Sequence, residues 1–120
     1  MGDLTKNFSR FEFSCRCGCG LADIHPDTVQ ALQALRDRLG APIHINSGCR
    51  CVRHNKAVSG ATHSYHLKAQ GCKAADITTR DMSPSIFADW IENNSTEFCT
   101  GGIGRYKGFV HVDVGPKRRW

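Results

Sequence analysis

The sequence predicts an α+β domain in which a small, mainly antiparallel sheet is flanked by helices. Three features of the 120-residue chain support this fold class: amphipathic segments with helix start or stop signals, short segments with strand-like alternation, and two final strands joined by a tight turn. Hydrophobic residues make up 40% and charged residues 22% of the chain, which excludes a disordered protein. We therefore expect one domain, residues 1–120, with a cysteine-rich N-terminal segment at about 8–20.

The first half of the chain contains a long helix, a strand and a short helix. Apolar residues recur at helical spacing from Pro26 to Leu39 and Gly40 follows them, so we predict an amphipathic helix that stops there. Isoleucines alternate with polar residues over 42–47, which is typical of a half-buried strand. Residues 52–58 favour a short second helix before a Ser-Gly turn.

The second half repeats a strand and a helix and then adds a hairpin. Residues 73–79 form an apolar run that predicts a strand. Ser83 followed by Pro84 is typical of a helix start, and apolar residues continue at helical spacing up to a pair of asparagines. Residues 103–106 and 109–114 then predict two strands joined by a tight Lys-Gly turn.

The charge balance suits an anionic partner without naming one. The net charge is +5 with the histidines neutral, and positive residues gather at the C-terminus in PKRRW. Nucleic acid, an anionic cell-wall polymer and a merely solvated basic surface all fit. No apolar run approaches the roughly 20 residues that span a bilayer, so we expect no membrane insertion. The opening MGDLTKNFSRFEF lacks the apolar stretch of a signal peptide, so we expect synthesis in the cytoplasm without export by the usual route.

Seven cysteines are many for this length, and five of them are closely spaced. Cys15, Cys17 and Cys19 alternate in CRCGCG, and Cys49 and Cys51 repeat that spacing. Without a signal peptide, reduced thiols or a metal site are favoured over a disulfide framework. The usual C-x2-C zinc pattern is absent, so a second, thiolate-bound zinc on Cys15, Cys17, Cys19 and Cys51 is the less favoured hypothesis. Buried free thiols, or disulfides formed after release from the cell, are the preferred alternative.

Two segments carry histidine and aspartate in a pattern that suits a metal. In FVHVDVG, strand periodicity sends the valines to the core and His111 and Asp113 to the other face. In HSYHLKAQGCKAADI, His66 lies in a loop and Asp76 begins an apolar strand. Two histidines and one carboxylate are typical ligands of a catalytic zinc, which makes water reactive and polarises a carbonyl. Spacing alone also allows a surface hydrogen-bonded pair, since no H-E-x-x-H signature is present.

The order SGCRCVRHN, SYHLKAQGCKAADI, GGIGRYKGFVHVDVGP resembles the zinc D-Ala-D-Ala peptidases, a murein peptidase family whose fold is shared with the hedgehog signalling domain. The resemblance runs from about Phe8 to the C-terminus. Ser64 and His66 match the family's S-x-H, Asp76 matches its A-x-D, and His111 matches its last ligand. The resemblance therefore implies one catalytic Zn²⁺ held by His66, Asp76 and His111.

Other site residues follow from the same resemblance. It implies that Arg50 and Ser64 bind substrate, with the guanidinium of Arg50 pairing with a peptide carboxylate; the alternative is a structural salt bridge. Several family members carry an acidic general base three positions before the last histidine, where this chain has Gly108. Asp113 is therefore the predicted catalytic residue, as general base, with holding a ligand histidine as its rival role. His63 is a weaker candidate for the base.

The predicted function is a zinc-dependent peptidase that hydrolyses amide bonds next to D-amino acids in bacterial peptidoglycan stem peptides or crosslinks, as a carboxypeptidase or an endopeptidase. We expect a monomer with peptidoglycan peptides as partners and no nucleic acid. The absent signal peptide suggests a phage-type lysis or tail protein that acts on the cell wall or periplasm after release. The alternative is a noncatalytic zinc-binding recognition module of the same fold, which Gly108 favours. A small nucleic-acid binder fits the charge but leaves the histidines and aspartates unexplained.

Overall fold

Helices and strands follow one another in mixed order along the chain. The computed structural model describes residues 2–120, so Met1, the first residue of the predicted domain, lies outside the described residues. The elements are α1 (Pro26–Leu39), β1 (Ile43–Ser47), α2 (Val52–Ala57), β2 (Ala74–Thr79), α3 (Pro84–Asn94), α4 (Thr96–Cys99), β3 (Gly102–Arg105), β4 (Val110–Asp113) and β5 (Arg118–Arg119), with short 3-10 turns at Arg10–Phe13 and Lys68–Gln70.

The five strands form one sheet in the order β1-β2-β4-β3-β5. The pairs β1/β2, β2/β4 and β3/β4 are antiparallel, and β5 runs parallel to β3. Helix α3 packs against β2, β3 and β4 and also meets α1. The predicted α+β fold with a mainly antiparallel sheet is confirmed.

Strand register brings two predicted ligands together. Asp76 on β2 lies directly opposite His111 on β4. Directly opposed residues of antiparallel strands project on the same face with Cβ atoms about 5 Å apart. A register shift between Ile45 and Ser47 on β1 places Ser47 opposite Asp76 as well. The sheet itself therefore positions two of the three predicted ligands.

The helix boundaries follow from their caps. At the start of α1 the His25 side chain accepts a hydrogen bond from the Asp27 N–H, and Gly40 ends the helix in the left-handed region at φ 69°. At the start of α3 the Ser83 side chain accepts from the Ile86 N–H, with proline at the first helical position. Both helices begin where the sequence predicted.

The hydrophobic core lies between the sheet and the helices. Val110 and Val112 are fully buried, as the alternation in β4 predicted, and His111 and Asp113 project from the opposite face. Burying one such aliphatic side chain contributes about 1.5–3 kcal/mol. The largest apolar side chains of the core are Phe8, Phe13, Leu32, Leu35, Ile77, Phe87, Ile91, Phe98 and Ile103.

The sequence did not predict two short elements. Helix α4 follows α3 after Ser95, whose hydroxyl caps it by accepting from the Phe98 N–H. Strand β5 pairs only two residues, too few for a periodicity to be read. The other strands agree with their predicted bounds to within one residue at either end. No helix within residues 2–120 combines the length and the hydropathy that crossing a membrane requires.

Candidate metal centre

The side chains of His66, Asp76 and His111, called here the His-Asp-His site, meet at one point. All three residues are buried, and one ligand atom from each lies within 4.8 Å of the other two. His66 Nε2 lies 3.1 Å and His111 Nδ1 lies 3.2 Å from the same atom, Asp76 Oδ1. The two imidazole rings meet edge to face with centroids 5.0 Å apart. Two ring nitrogens and one carboxylate oxygen therefore face a common centre.

A tight loop holds His66 in place. The Ser64 hydroxyl accepts a hydrogen bond from the His66 N–H at 3.2 Å, and His66 Nδ1 lies 2.6 Å from the carbonyl oxygen of Gly48. Because a carbonyl oxygen only accepts, Nδ1 carries the proton, and Nε2 turns its lone pair toward Asp76. Gly48 also packs directly against the Phe13 backbone, since a Cβ at this position would lie 2.8 Å from Phe13 Cα.

The buried carboxylate of Asp113 fixes the orientation of the His111 ring. His111 Nε2 donates to Asp113 Oδ2 at 2.7 Å, which leaves the Nδ1 lone pair facing Asp76. Asp113 is fully buried, and Arg118 Nη2 contacts both of its oxygens at 2.7 and 2.8 Å. Two backbone N–H groups donate to Oδ1 of Asp113 at 3.2 and 2.9 Å. Asp113 therefore lies behind the ligand histidine, with both oxygens occupied by donors.

Arg50 orients the third member of the site. Its Nη2 donates to Asp76 Oδ2 at 2.9 Å, so Oδ1 is the oxygen that faces the two histidines. Nε of Arg50 reaches the Ser47 hydroxyl at 3.2 Å, and Nη1 reaches Asn55 Oδ1 at 3.3 Å. Within residues 2–120, three of the five guanidinium N–H groups thus have protein acceptors.

The donor chemistry of the His-Asp-His site fits a divalent cation. The outer partners fix both imidazole protons on the outward nitrogens, so the inner nitrogens and Asp76 Oδ1 are all acceptors. Three acceptors at such short range repel one another unless a cation or an additional proton lies between them. Two imidazole nitrogens and one carboxylate oxygen are the ligands of many zinc sites in enzymes, which keep a further position for water.

Burial and close contacts shift the pKa of each member of the His-Asp-His site and of Asp113. Burial lowers the pKa of His66, and its contact with Asp76 opposes that effect only in part. Burial would raise the pKa of Asp76, but the adjacent imidazoles of His111 and His66, which attract its negative charge when they carry a proton, hold the pKa well below its usual range. Burial would lower the pKa of His111, but the hydrogen bond with Asp113 and the neighbouring Asp76 carboxylate, which favours the protonated ring, raise it. Burial would raise the pKa of Asp113, but its contacts with His111, the Gly115 N–H and Arg118 together lower it.

A cavity of about 510 Å³ opens in front of the His-Asp-His site. Its walls combine polar groups with aromatic rings, which suits a ligand that has both a polar backbone and apolar side chains. The lining residues outside the His-Asp-His site include Arg50, His63, Ser64, Tyr65, Tyr106, Phe109, Asp113, Arg118 and Trp120.

The structure brings most of the sequence-predicted site residues to this cavity. Arg50 and Ser64 line it next to the three ligands, although Arg50 contacts Asp76 and the Ser64 hydroxyl bonds within its own loop. His63 also lines the cavity and is exposed. Gly108, where several family members carry the acid, lies at the exposed hairpin tip, where an added Cβ would meet no atom within 4 Å.

The C-terminal residues belong to the site, which the sequence did not predict. The basic run suggested a solvated surface or an anionic partner, but Arg118 pairs with Asp113 and lies over the Tyr65 ring at 4.8 Å. The Trp120 ring packs against His111 with centroids 4.9 Å apart. Gly104 makes room for this ring, since a Cβ there would collide with the indole. Arg118 and Trp120 are two residues apart, a spacing that places both side chains on one face of a strand. Because β5 contains only two residues, this periodicity could not be recognised in the sequence.

Comparison with known proteins identifies the family of the chain. The family described as Peptidase M15 matches residues 6–113, a range that includes all three members of the His-Asp-His site. The chain belongs to the peptidase M15 family. The murein peptidase resemblance that the motifs carried is thereby confirmed.

Curated relatives of the chain carry the names of peptidases. The chain is 30% identical over 109 residues to the peptidoglycan L,D-endopeptidase MepK of Escherichia coli strain K12, covering 83% of this chain and 56% of that protein. It is 33% identical over 95 residues to the zinc D-Ala-D-Ala carboxypeptidase of Streptomyces albus G, covering 78% of this chain and 36% of that protein. The chain therefore spans about half the length, or less, of these curated relatives.

Proposed function

We propose that this protein is a zinc-dependent peptidase that hydrolyses amide bonds next to D-amino acids in bacterial peptidoglycan. The convergence of His66, Asp76 and His111 beside a cavity is the observation that carries the proposal. Family membership supports the reaction class, and the names of the curated relatives support the substrate class. One catalytic zinc ion is proposed, held by His66 Nε2, Asp76 Oδ1 and His111 Nδ1.

Each ligand has a partner that fixes its direction before any ion binds. A bound zinc ion would supply an acidified water and a polarised substrate carbonyl at neutral pH. The protein's own task is to keep three donors aimed at one point, and Gly48, Arg50 and Asp113 do this from behind the ligands. Such outer contacts commonly contribute about 10–100-fold in metal affinity or activity. We therefore propose Asp113 as a positioning residue for His111, because both of its oxygens already have donors in His111 Nε2, Arg118 and two backbone N–H groups.

Substrate binding is proposed for Arg50 and Ser64. Three N–H groups of Arg50 contact protein acceptors, so two remain to pair with a peptide carboxylate at the cavity wall. Ser64 lines the same wall next to His66, and its hydroxyl proton is available while its oxygen accepts from the His66 N–H. The aromatic wall formed by Tyr106, Phe109 and Trp120 offers apolar surface to the remainder of a stem peptide.

Proton transfer requires a group beyond the positioned ligands. His63 is an imidazole on the cavity wall outside the His-Asp-His site, and imidazole is the side chain that most often transfers protons in enzymes. We propose His63 as the residue to replace when testing for a separate base. A His63→Gln variant with normal zinc content and turnover would remove it from the mechanism.

Hydrolysis of purified peptidoglycan by the zinc-loaded chain tests the main proposal. We expect soluble peptide fragments by liquid chromatography and mass spectrometry, their loss after chelation, and their return when zinc is added. A His111→Ala variant should release none, whereas His44→Ala, on the exposed face of β1, should behave as the wild type. Release of D-alanine from stem peptides would identify a carboxypeptidase, and cutting of crosslinked dimers would identify an endopeptidase.

A noncatalytic recognition module is the second candidate. The observation that favours it is that Asp76 and Asp113 are the cavity-lining carboxylates within residues 2–120, and both are engaged in fixed contacts. Zinc-dependent binding to peptidoglycan without release of any fragment would support this module and overturn the peptidase. Action on the cell wall after a phage-type release stays a prediction, which localisation of the protein during cell lysis would test.

A further inference from the structure

Four cysteine sulfurs converge at a second point in the molecule, separate from the His-Asp-His site. Cys15, Cys17, Cys19 and Cys51, called here the cysteine cluster, each have Sγ within 4.8 Å of the other three. The closest pairs are Cys15–Cys17 at 3.4 Å, Cys17–Cys51 at 3.6 Å and Cys15–Cys51 at 3.8 Å. All seven cysteines of the chain are free thiols in the structure, and the cluster gathers the majority of them.

We propose that the cysteine cluster binds a structural zinc ion. A tetrahedral ion with zinc–sulfur bonds of about 2.3 Å separates its sulfurs by about 3.8 Å, close to the observed spacings. These separations are far from the roughly 2.05 Å of a disulfide bond. Four protein ligands close the coordination shell, which is the arrangement of structural zinc, whereas the His-Asp-His site offers three.

The backbone is shaped to make the cysteines converge. Side chains two apart on an extended strand lie about 6–7 Å from each other, so the CRCGCG segment has to bend to bring its sulfurs together. Gly18 and Gly20 supply that bend at φ 85° and 91°, in the left-handed region that favours glycine. The Gly18 N–H closes a turn on the Cys15 carbonyl at 3.1 Å, and the Cys15 N–H bonds the Leu21 carbonyl at 2.7 Å.

Surrounding groups support sulfur ligands. The Cys51 N–H donates to Cys15 Sγ at 3.4 Å, and the His54 N–H donates to Cys51 Sγ at 3.3 Å. Hydrogen bonds of this kind disperse the charge of metal-bound sulfurs. Arg16, between two cluster members, reaches the carbonyls of Glu12 and Ile45 at 2.8 and 2.9 Å and so ties the cysteine loop to β1.

Cys51 connects the cysteine cluster to the chain segment that supports the His-Asp-His site. Cys51 is the N-cap of α2 and follows Arg50, whose guanidinium holds Asp76. Asn55 on α2 contacts the same guanidinium, and Gly48 supplies the carbonyl that orients His66. A zinc ion on the cluster would therefore anchor residues 48–55, the segment that supports two members of the His-Asp-His site from behind.

Metal counting on the purified full chain tests the proposal independently of catalysis. We expect about two zinc ions per chain in the wild type, about one in Cys19→Ser and about one in His111→Ala. Cys99→Ser is the matched control, because Cys99 lies outside the cluster and donates to the Glu92 carbonyl, a contact that serine can also make. Cys19 is exposed, so its replacement leaves the core intact.

Cobalt substitution and thiol counting identify the ligands. In His111→Ala loaded with Co²⁺, we expect intense near-ultraviolet sulfur-to-cobalt absorption, which Cys19→Ser added to that background should lose. Denatured wild type with chelator should show about seven reactive thiols. The proposal would be overturned if the wild type bound only one zinc per chain and Cys19→Ser still bound it. It would also be overturned if fewer than seven thiols reacted because a disulfide had formed in the cluster. Neither result depends on whether peptidoglycan is cleaved, so this proposal and the proposed function can fail separately.

Discussion

The His-Asp-His site and the cysteine cluster differ in what surrounds their donor atoms. Buried strands and a tight loop hold His66, Asp76 and His111, with fixed hydrogen bonds behind them and a cavity in front. The cysteine cluster forms on a loop bent by glycines, and two of its four members, Cys17 and Cys19, are exposed. A site that admits substrate needs rigid support from the protein, whereas a closed site can use the ion itself to order a loop.

One segment belongs to both regions. Residues 48–55 contribute a backbone carbonyl and a guanidinium to the His-Asp-His site and a thiol to the cysteine cluster. The comparison therefore predicts an asymmetry. Damage to the His-Asp-His site should abolish activity and leave the cluster loaded, whereas damage to the cluster should lower stability first and activity second.

His111→Ala should have the largest effect. It removes a ligand and leaves Asp113 without its histidine partner, so we expect peptidoglycan hydrolysis to fall to the background rate and one zinc per chain to be lost. Product analysis and metal counting on the same sample check this, with His44→Ala as the control. Retained hydrolysis in His111→Ala would show that the reaction does not use this site.

Asp113→Asn separates a positioning role from a general base. If Asp113 holds His111, zinc affinity and turnover should both fall by about 10–100-fold, because the amide accepts more weakly from Nε2. A general base would instead reduce turnover and leave zinc affinity unchanged. Competition titration with a chromophoric chelator measures the affinity. The control is Asp89→Asn, because the Asp89 carboxylate contacts Arg105 away from the cavity. This variant should change neither zinc affinity nor turnover.

Zinc affinity at the His-Asp-His site should decline as the pH falls. His111 must be unprotonated at Nδ1 to bind the ion, and its pKa is raised, so protons compete at a higher pH than for an ordinary histidine. His66, whose pKa is lowered, joins the competition only at lower pH. Below the His111 pKa we expect a loss of about tenfold per pH unit. Titrations in the Cys19→Ser background isolate this site.

The Asp113→Asn variant sharpens that measurement. The hydrogen bond with Asp113 is the largest of the effects that raise the His111 pKa. Replacing this carboxylate with a neutral amide should therefore move the onset of proton competition to lower pH. An onset that stays in place would mean that another group sets the protonation of His111. A flat profile across the whole range would contradict the assignment of His111 as a ligand.

Cys19→Ser should lower thermal stability by about 5 °C or more, because a zinc ion bound only by the folded state stabilises it by mass action. The effect is best isolated in the His111→Ala background, where the cysteine cluster is the remaining site. Chelation should then lower the melting temperature of His111→Ala but leave that of His111→Ala with Cys19→Ser unchanged. Equal responses of the two proteins to chelator would contradict a structural ion in the cluster.

Local signals explain how much of the fold could be predicted. Gly40 and Pro84 act through their own backbone, so the bounds of α1 and α3 were readable from the sequence. Strand β5 depends on a parallel pairing with β3 that connects distant residues, and nothing local encodes it. Arg118 looked like part of a basic surface because its sequence neighbours Lys117 and Arg119 are basic, although its partner Asp113 is buried at the site.

The two candidate sites were predictable to different degrees. The ligands of the His-Asp-His site lie in motifs whose spacing carries over from the family, and strand pairing then sets Asp76 opposite His111. The cysteine cluster lacks the usual spacing, and its convergence depends on left-handed backbone at Gly18 and Gly20. Glycine permits that conformation but does not require it. The sequence alone therefore favoured free thiols or disulfides.

The smallest expected effect concerns Gly108, at the tip of the β3–β4 hairpin. Gly108→Glu places an acid where several family members have one, and open space around the glycine allows it with a stability change of less than about 0.5 kcal/mol. If the wild type is already a peptidase, we expect turnover to change by less than about threefold. Lys107→Gln makes the same change in net charge at the same turn and serves as the control. Peptide release that appears only in Gly108→Glu would instead identify the wild type as the recognition module, a zinc site complete in its ligands but lacking a group to accept the proton of water.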